Sequence, residues 1–366
     1  MPIYLFYQTS KKGIGNDFQL ISLNLIEQFN LQLLYMKYLK IFIGVIAILC
    51  GVYLLGPHPS KPIYNTQLPT IPSSPITLES YVKEQESIHI IKPHNEAEII
   101  WADTSKQKTN YAIVYLHGFS ASKEEGAPVH KNIAKQFGCN LYLSRLSQHG
   151  IDTVDALINL TPDNLWESAK EALAIGKHLG DKVILMSTST GGTLALQLAA
   201  TYPEVAGLVL YSPNIAINDA NAPLLNNPWG LQIARMVKGS NYNIIKTNNP
   251  QYAPYWNTKY RLEAISQLEE LVETKMIEPT FKSVTQPVLA LYYYKDEKNQ
   301  DPVVKVSATK KMFEQLGTPV NKKRQVAMPN TGNHVLASPI LSNDVAGVEM
   351  ETAKFLQEIM QLKPIK

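Results

Sequence analysis

Short apolar runs recur between residues 98 and 212, each closed by small or polar residues and most followed by a stretch with helical spacing. The runs are Ile99-Ile100-Trp101, Tyr111 to Leu116, Asn140 to Leu143, Val183 to Met186 and Val205 to Tyr211. Uninterrupted apolar runs of this length predict strands buried on both faces, and their alternation with helices predicts a parallel sheet with helices on either side. Thr161-Pro162-Asp163 opens one such helix with a hydroxyl cap, a proline in the first turn and an early acid, and Gly180 stops it near Leu179. From Asn214 to Gln286 the alternation breaks. It resumes with Pro287 to Tyr294, a helix over about 306–316, a last strand Arg324 to Met328 and a final helix over about 344–361. The break predicts a cap of about 214–286 over one edge of the sheet. Its aromatics, Trp229, Tyr242, Tyr252, Tyr255, Trp256 and Tyr260, are expected mostly to form the cap's own core.

The N-terminal pattern is different. Met36 to Lys40 carries two lysines and precedes an uncharged apolar run from Ile41 to Leu55, closed by Gly56-Pro57. A basic flank before an apolar stretch of nearly bilayer-spanning length predicts a signal anchor over 36–56. The lysines are expected to stay cytoplasmic, which puts the rest of the chain outside. Residues 1–35 show only loose helical spacing and are read as an over-extended start. Residues 57–80 hold six prolines among serines and threonines and predict a stiff linker with little to bury. The domain proper is expected over 81–366.

Composition removes several classes of function. A formal net charge of +3 with both signs interspersed gives no nucleic-acid footprint. The two cysteines, Cys50 and Cys139, are far apart and one lies in the anchor, so no structural disulfide is expected. The eight histidines are scattered, and neither a metal cluster nor a cofactor motif is present. The reading therefore assigns no metal and no cofactor.

Chemistry concentrates at strand ends, where ligands bind in such sheets. Ser187-Thr188-Ser189-Thr190-Gly191-Gly192 joins a strand to the helix Thr193 to Ala200. A serine at so tight a corner needs small neighbours two residues away. Gly191 supplies one, and Ser187 stands where glycine is usual. The alternative is a hydroxyl-rich strand end capping a helix. His117-Gly118-Phe119 follows an earlier strand, and His149-Gly150 reads as a structural turn. Beyond the corner, His334 is the one histidine, in Pro329-Asn330-Thr331-Gly332-Asn333-His334 after the last strand. Two acids follow the preceding strand. Asp301 opens Asp-Pro-Val-Val, whose valines anchor the loop, and is taken as the acid; Asp296, among Lys295, Glu297 and Lys298, is the alternative. Serine, acid and histidine in this order form a nucleophile, an orienting carboxylate and a base.

These features resemble the α/β-hydrolases of the serine-aminopeptidase, monoglyceride-lipase and carboxylesterase branch. The likeness rests on Leu116-His117-Gly118-Phe119, the His149-Gly150 turn, the helix from Thr161 through Trp166, the serine corner, the acid loop and Gly332-Asn333-His334, and spans about 98–362. It departs at Ser187 and at Tyr293, where a glycine often follows the acid strand. The resemblance implies an α/β-hydrolase fold, Ser189 as nucleophile, His334 as base, and the Phe119 and Thr190 backbone N–H groups as oxyanion hole. It also implies a small-molecule acyl ester as substrate, with lipid-derived esters in reach of a membrane-anchored domain. A peptidase or acyltransferase would use the same residues, and a non-catalytic binding protein on a retained fold is the competing class.

Overall fold

The computed structural model describes residues 10–365, which form two compact units meeting at Pro57 and His58. The first is a single helix, α1 (Ser10–Leu54). Its stretch Gln19–Leu54 is long and apolar enough to cross a membrane, and its most apolar 18-residue window has a mean hydropathy of 2.0 with no residue buried. The helix begins before the expected anchor segment of 36–56 and runs through it. Glu27 is the one charged side chain between Gln19 and Tyr35, and Leu20, Ile26 and Phe29 all lie exposed.

The second unit is built on a seven-stranded sheet with helices on both faces. After α2 (Pro75–Ser87) come β1 (Glu98–Ile100), β2 (Thr109–Leu116), α3 (Val129–Phe137), β3 (Asn140–Leu143), α4 (Pro162–Leu179), β4 (Gly180–Thr188), α5 (Thr190–Thr201) and β5 (Gly207–Tyr211). The excursion holds α6 (Gly230–Lys238), β6 (Tyr242–Ile244), β7 (Lys259–Arg261), α7 (Leu262–Lys275) and α8 (Glu278–Ser283). The chain then returns through β8 (Val288–Tyr292), α9 (Val306–Gln315), β9 (Lys323–Ala327) and α10 (Val345–Glu358). The main sheet has the order β1-β3-β2-β4-β5-β8-β9. Only β1 runs antiparallel, on the edge, pairing Glu98 with Leu143.

Side chains alternate between the two faces of each strand, and both faces are buried. Val114, Leu116, Leu185, Leu208 and Leu210 join one core with residues of α4 and α5. Ile113, Tyr115, Ile184, Met186 and Val209 join the other with residues of α3 and α10. Helix α4 starts as its residues require: the Thr161 hydroxyl accepts the Asn164 N–H at 3.1 Å, the Asn164 carbonyl accepts the Thr161 N–H at 3.0 Å, and Pro162 sits where no intrahelical donor is needed.

The expected linker is not free. Residues 63–67 lie extended along α4 and α5, and side chains of the domain take up their backbone groups. Trp166 Nε1 donates to Asn65 O at 2.6 Å, the Tyr202 hydroxyl to Thr66 O at 2.7 Å, and Lys170 Nζ to Gln67 O at 2.8 Å. Tyr64 meets Trp166 edge-on, Ile71 is buried, and α2 begins inside the segment. Outside regular helix or sheet, the Asn65, Thr66 and Gln67 carbonyls have no ladder partner and stay available to such donors.

The excursion is also more than a cap. Helices α7 and α8 come back to pack on α5, leaving α6 and the β6–β7 pair as the outlying part.

Candidate active site

Three strand ends meet at one cavity. At the first, β4 turns into α5 through Ser189, whose φ of 53° and ψ of −117° lie where non-glycine residues are rare and strained by about 1–3 kcal/mol. The surroundings enforce it. The Ser189 N–H donates to Tyr211 O at 3.0 Å, and its carbonyl accepts from Asn214 N and Gly192 N. A Cβ on Gly191 would sit 2.0 Å from Leu116 O, so only glycine lets α5 approach β2 this closely. Ser187 fits at the other small position: it is fully buried, and its hydroxyl points to Val209 O at 3.4 Å.

Asp301 and His334 occupy the second and third strand ends. His334 Nδ1 lies 2.7 Å from Asp301 Oδ2, and Asp301 Oδ1 accepts the Val303 and Val304 N–H groups at 2.8 and 3.0 Å. Both side chains are buried. Burial pushes the Asp301 carboxyl up, but the His334 charge and hydrogen bond, with the two backbone donors, outweigh it and hold the group below its ordinary value. Burial pushes the His334 imidazole down, and the Asp301 charge and hydrogen bond, aided by Glu125, more than reverse that and raise it.

Asp296 is elsewhere. It is exposed and closes its own turn, accepting the Lys298 and Asn299 N–H groups at 2.9 Å each. Residues 295–299 fold back on themselves, with Lys295 N bonded to Asn299 O and Asp301 N to Tyr293 O. The chain therefore re-enters the sheet margin at Asp301, and the five intervening residues add nothing to the reach of β8.

Ser189 and His334 line the same cavity of about 470 Å³, although no hydrogen bond joins their side chains in this structure. Phe119 and Thr190 also line it. Among the described residues neither of their backbone N–H groups has a hydrogen-bond partner, the second because it opens α5. Apolar walls come from Ile217, Ile245 and Leu268, and aromatic ones from Tyr252, Trp256 and Tyr260. Half of the six cap aromatics expected to form a separate core thus face the cavity. Tyr252 stacks on Trp256 with centroids 4.9 Å apart, and Tyr260 meets Phe119 edge-on at 5.2 Å.

The His149 ring packs edge-on against both Phe119 and His117, and its Nδ1 bonds Ser147 O. His117 lies beneath the loop, accepting the Leu146 N–H at Nε2. One lining residue escaped the sequence reading. Glu125, in a 3₁₀ turn over Lys123–Gly126, is 2% exposed and enters the cavity wall. In sequence it sits beside Lys123 and Glu124 and reads as a solvated charge. Only the neighbouring Gly126, followed by the small apolar Ala127 and by Val129, both buried, hints at inward packing.

A parallel sheet with a strained serine corner at the C-terminal end of a central strand, facing a buried acid–histidine pair, defines the α/β-hydrolase class. The family model of the alpha/beta hydrolase fold matches residues 111–302, more than half of the chain, and the chain belongs to that family. Among solved structures it is similar to one from the work on LipS and LipT, two metagenome-derived lipolytic enzymes, at 18% identity and a TM-score of 0.59, over 73% of this chain and 99% of that one. It is also similar to Est1E from Butyrivibrio proteoclasticus with bound ferulic acid, at 16% identity and a TM-score of 0.48, over 73% and 95% of the two chains. A thermophilic esterase from Thermogutta terrifontis matches at 14% identity and a TM-score of 0.47, over 72% and 94%. At these identities the likeness is one of fold. No curated protein matches the chain in sequence.

Proposed function

We propose that this protein is a serine hydrolase that cleaves carboxyl esters through an acyl-enzyme. The observation that carries the reading is the buried Asp301–His334 pair at 2.7 Å, whose His334 lines the same cavity as Ser189. Serine is a weak nucleophile until a base accepts its proton. His334 takes the proton from Ser189 Oγ as the hydroxyl attacks the acyl carbonyl carbon. Asp301 holds Nδ1 protonated, leaves Nε2 as the basic nitrogen and stabilises the imidazolium. The carbonyl oxygen becomes an oxyanion held by the Phe119 and Thr190 N–H groups. His334 then passes its proton to the leaving alcohol. Water, deprotonated in turn by His334, releases the acid and restores Ser189.

The cavity suits an acyl group of modest size. Its volume falls in the range of small-ligand sites, and its walls are mainly apolar and aromatic. Helix α1 serves as membrane anchor, with Lys37 and Lys40 cytoplasmic and the catalytic unit outside, where it meets lipid-derived esters. Protease treatment of intact cells is expected to remove the domain, and a protected domain contradicts this orientation.

The direct test is hydrolysis of p-nitrophenyl esters of graded chain length by the wild type and Ser189→Ala. The wild type is expected to turn over, with an optimum at short to medium acyl chains. The variant is expected to lose at least about 10⁴-fold in kcat. Undiminished hydrolysis by Ser189→Ala overturns the reading.

A further inference from the structure

Glu125 has a buried carboxyl facing the catalytic cavity, and the mechanism above leaves it without a task. Its position is built rather than incidental. The 3₁₀ turn that carries it is capped by Ser122 and pressed onto β2, since a Cβ on Gly126 would come within 2.4 Å of the Tyr115 ring and 2.6 Å of the His130 ring. The turn is thus packed closely on β2 and α3. Glu125 Oε2 accepts the Gly118 N–H at 2.5 Å. Gly118 also abuts the nucleophile: a Cβ there would lie 2.9 Å from Glu125 Oε2 and 3.0 Å from Ser189 Cβ. The peptide next in the chain presents the Phe119 N–H.

We propose that Glu125 is a positioning residue: its carboxyl clamps the Gly118 peptide so that the Phe119 N–H is held for the acyl oxygen, and it faces His334 across the cavity wall. The role rests on the hydrolase reading of Ser189, His334 and Asp301. An oxyanion donor works only if its direction is fixed before the charge develops, and a loop donor has no helix or sheet to fix it. Here a side-chain acceptor does so from behind, leaving the next N–H unpaired toward the cavity. The carboxyl accepts whether or not it is protonated, so the clamp persists across pH.

Its charge, however, varies near neutrality. Burial pushes the Glu125 carboxyl up to about 7, against the lowering effects of the Gly118 N–H, the His334 charge and a hydrogen bond from Trp256. The other groups around it do not titrate there. Tyr115 on β2 and Tyr252 in the cap are both raised by burial, and His130 on α3 is pushed down to about 3 by burial. On its own turn Lys123 pairs with Glu98, and Glu124 stays half-buried at the margin. His334 is therefore the partner that feels the change: an ionised Glu125 raises it, as does Asp301.

The experiment compares pH–rate profiles of wild type, Glu125→Leu and Glu125→Gln on p-nitrophenyl butyrate, with thermal unfolding to check each fold. Activity requires neutral His334, so kcat/KM of the wild type rises with pH through a midpoint above 6.5. Glu125→Leu removes the acceptor and is expected to lower kcat about 10- to 100-fold with KM within about threefold. Glu125→Gln keeps an acceptor and loses the charge. It is expected to recover most of that loss, while its acidic limb moves about half a pH unit or more toward acid. A residue needed only for folding would not move the limb. If Glu125→Leu does not fold, the limb of Glu125→Gln decides alone. An active wild type with an unshifted Glu125→Gln limb, or with a Leu variant as fast as wild type, overturns the role and leaves the hydrolase reading standing. A wild type that hydrolyses no ester overturns both.

Discussion

Two glycines mark the contrast between the floor of the cavity and the outlying part of the cap. On the floor, Gly191 lets α5 approach β2 so closely that a Cβ would lie 2.0 Å from Leu116 O. In the outlying cap, Gly239 ends α6 with a φ of 60°, and a Cβ there would meet nothing within 4 Å. The floor hangs from strand ends packed on both faces, with Asp301 held by three hydrogen-bond donors. The cap's α6 turns Ile233, Met236 and Val237 to solvent. In the proposed reaction, proton transfer and oxyanion capture would fail if groups moved by an ångström, which suits the rigid side. Recognition of an acyl chain would tolerate looser walls, which suits the cap.

The largest effect that tests this division comes from the acid loop. Asp301→Asn leaves the shape intact but puts the wrong tautomer on His334, and kcat is expected to fall about 10⁴-fold. Asp296→Asn, at the exposed tip of the same loop, is expected to stay within about threefold. Steady-state kinetics of the pair checks this, and the opposite ranking would move the acid to Asp296. Next in size are the glycines themselves. Gly191→Ala is expected to destabilise the fold by about 3 kcal/mol or more and to lower activity of whatever folds, because backbone rather than a flexible side chain must give way. Gly239→Ala is expected to cost only about 1 kcal/mol, from its positive φ, with kcat unchanged. Urea titrations with parallel assays separate the two, and equal losses would erase the distinction between floor and cap. Smaller still is the effect of the cap's aromatic wall. Trp256→Ala is expected to raise KM for the preferred ester about tenfold while kcat changes little, since it removes binding shared by ground and transition states. A fall confined to kcat would place Trp256 with the floor instead.

The floor was legible in the sequence and much of its surroundings was not, for physical reasons. Buried parallel strands must be apolar on both faces, so Val183 to Met186 and Val288 to Tyr292 announce themselves by composition. A strained corner tolerates only small neighbours, so Ser187, Ser189 and Gly191 stand out by spacing. The acid was ambiguous because the turn over 295–299 closes on itself, and sequence distance then misstates spatial reach. Residues 57–80 looked free because their prolines predict an extended backbone but not what that backbone lies against; the donors to 65–67, Trp166, Lys170 and Tyr202, come from 101 to 136 residues away. Glu125 was missed because a local charge run reads as solvated, and its burial depends on Gly126 meeting Tyr115 and His130. The roles assigned to Ser189, Asp301 and His334 rest on geometry and await chemistry.

That chemistry is tested most directly by a fluorophosphonate, which reacts only with a serine that a neighbouring base has made nucleophilic. Peptide mapping of the treated wild type is expected to find one phosphonyl group, on Ser189, and none after Ser189→Ala. A folded wild type that stays unmodified, or that carries the adduct on another residue, would contradict the account.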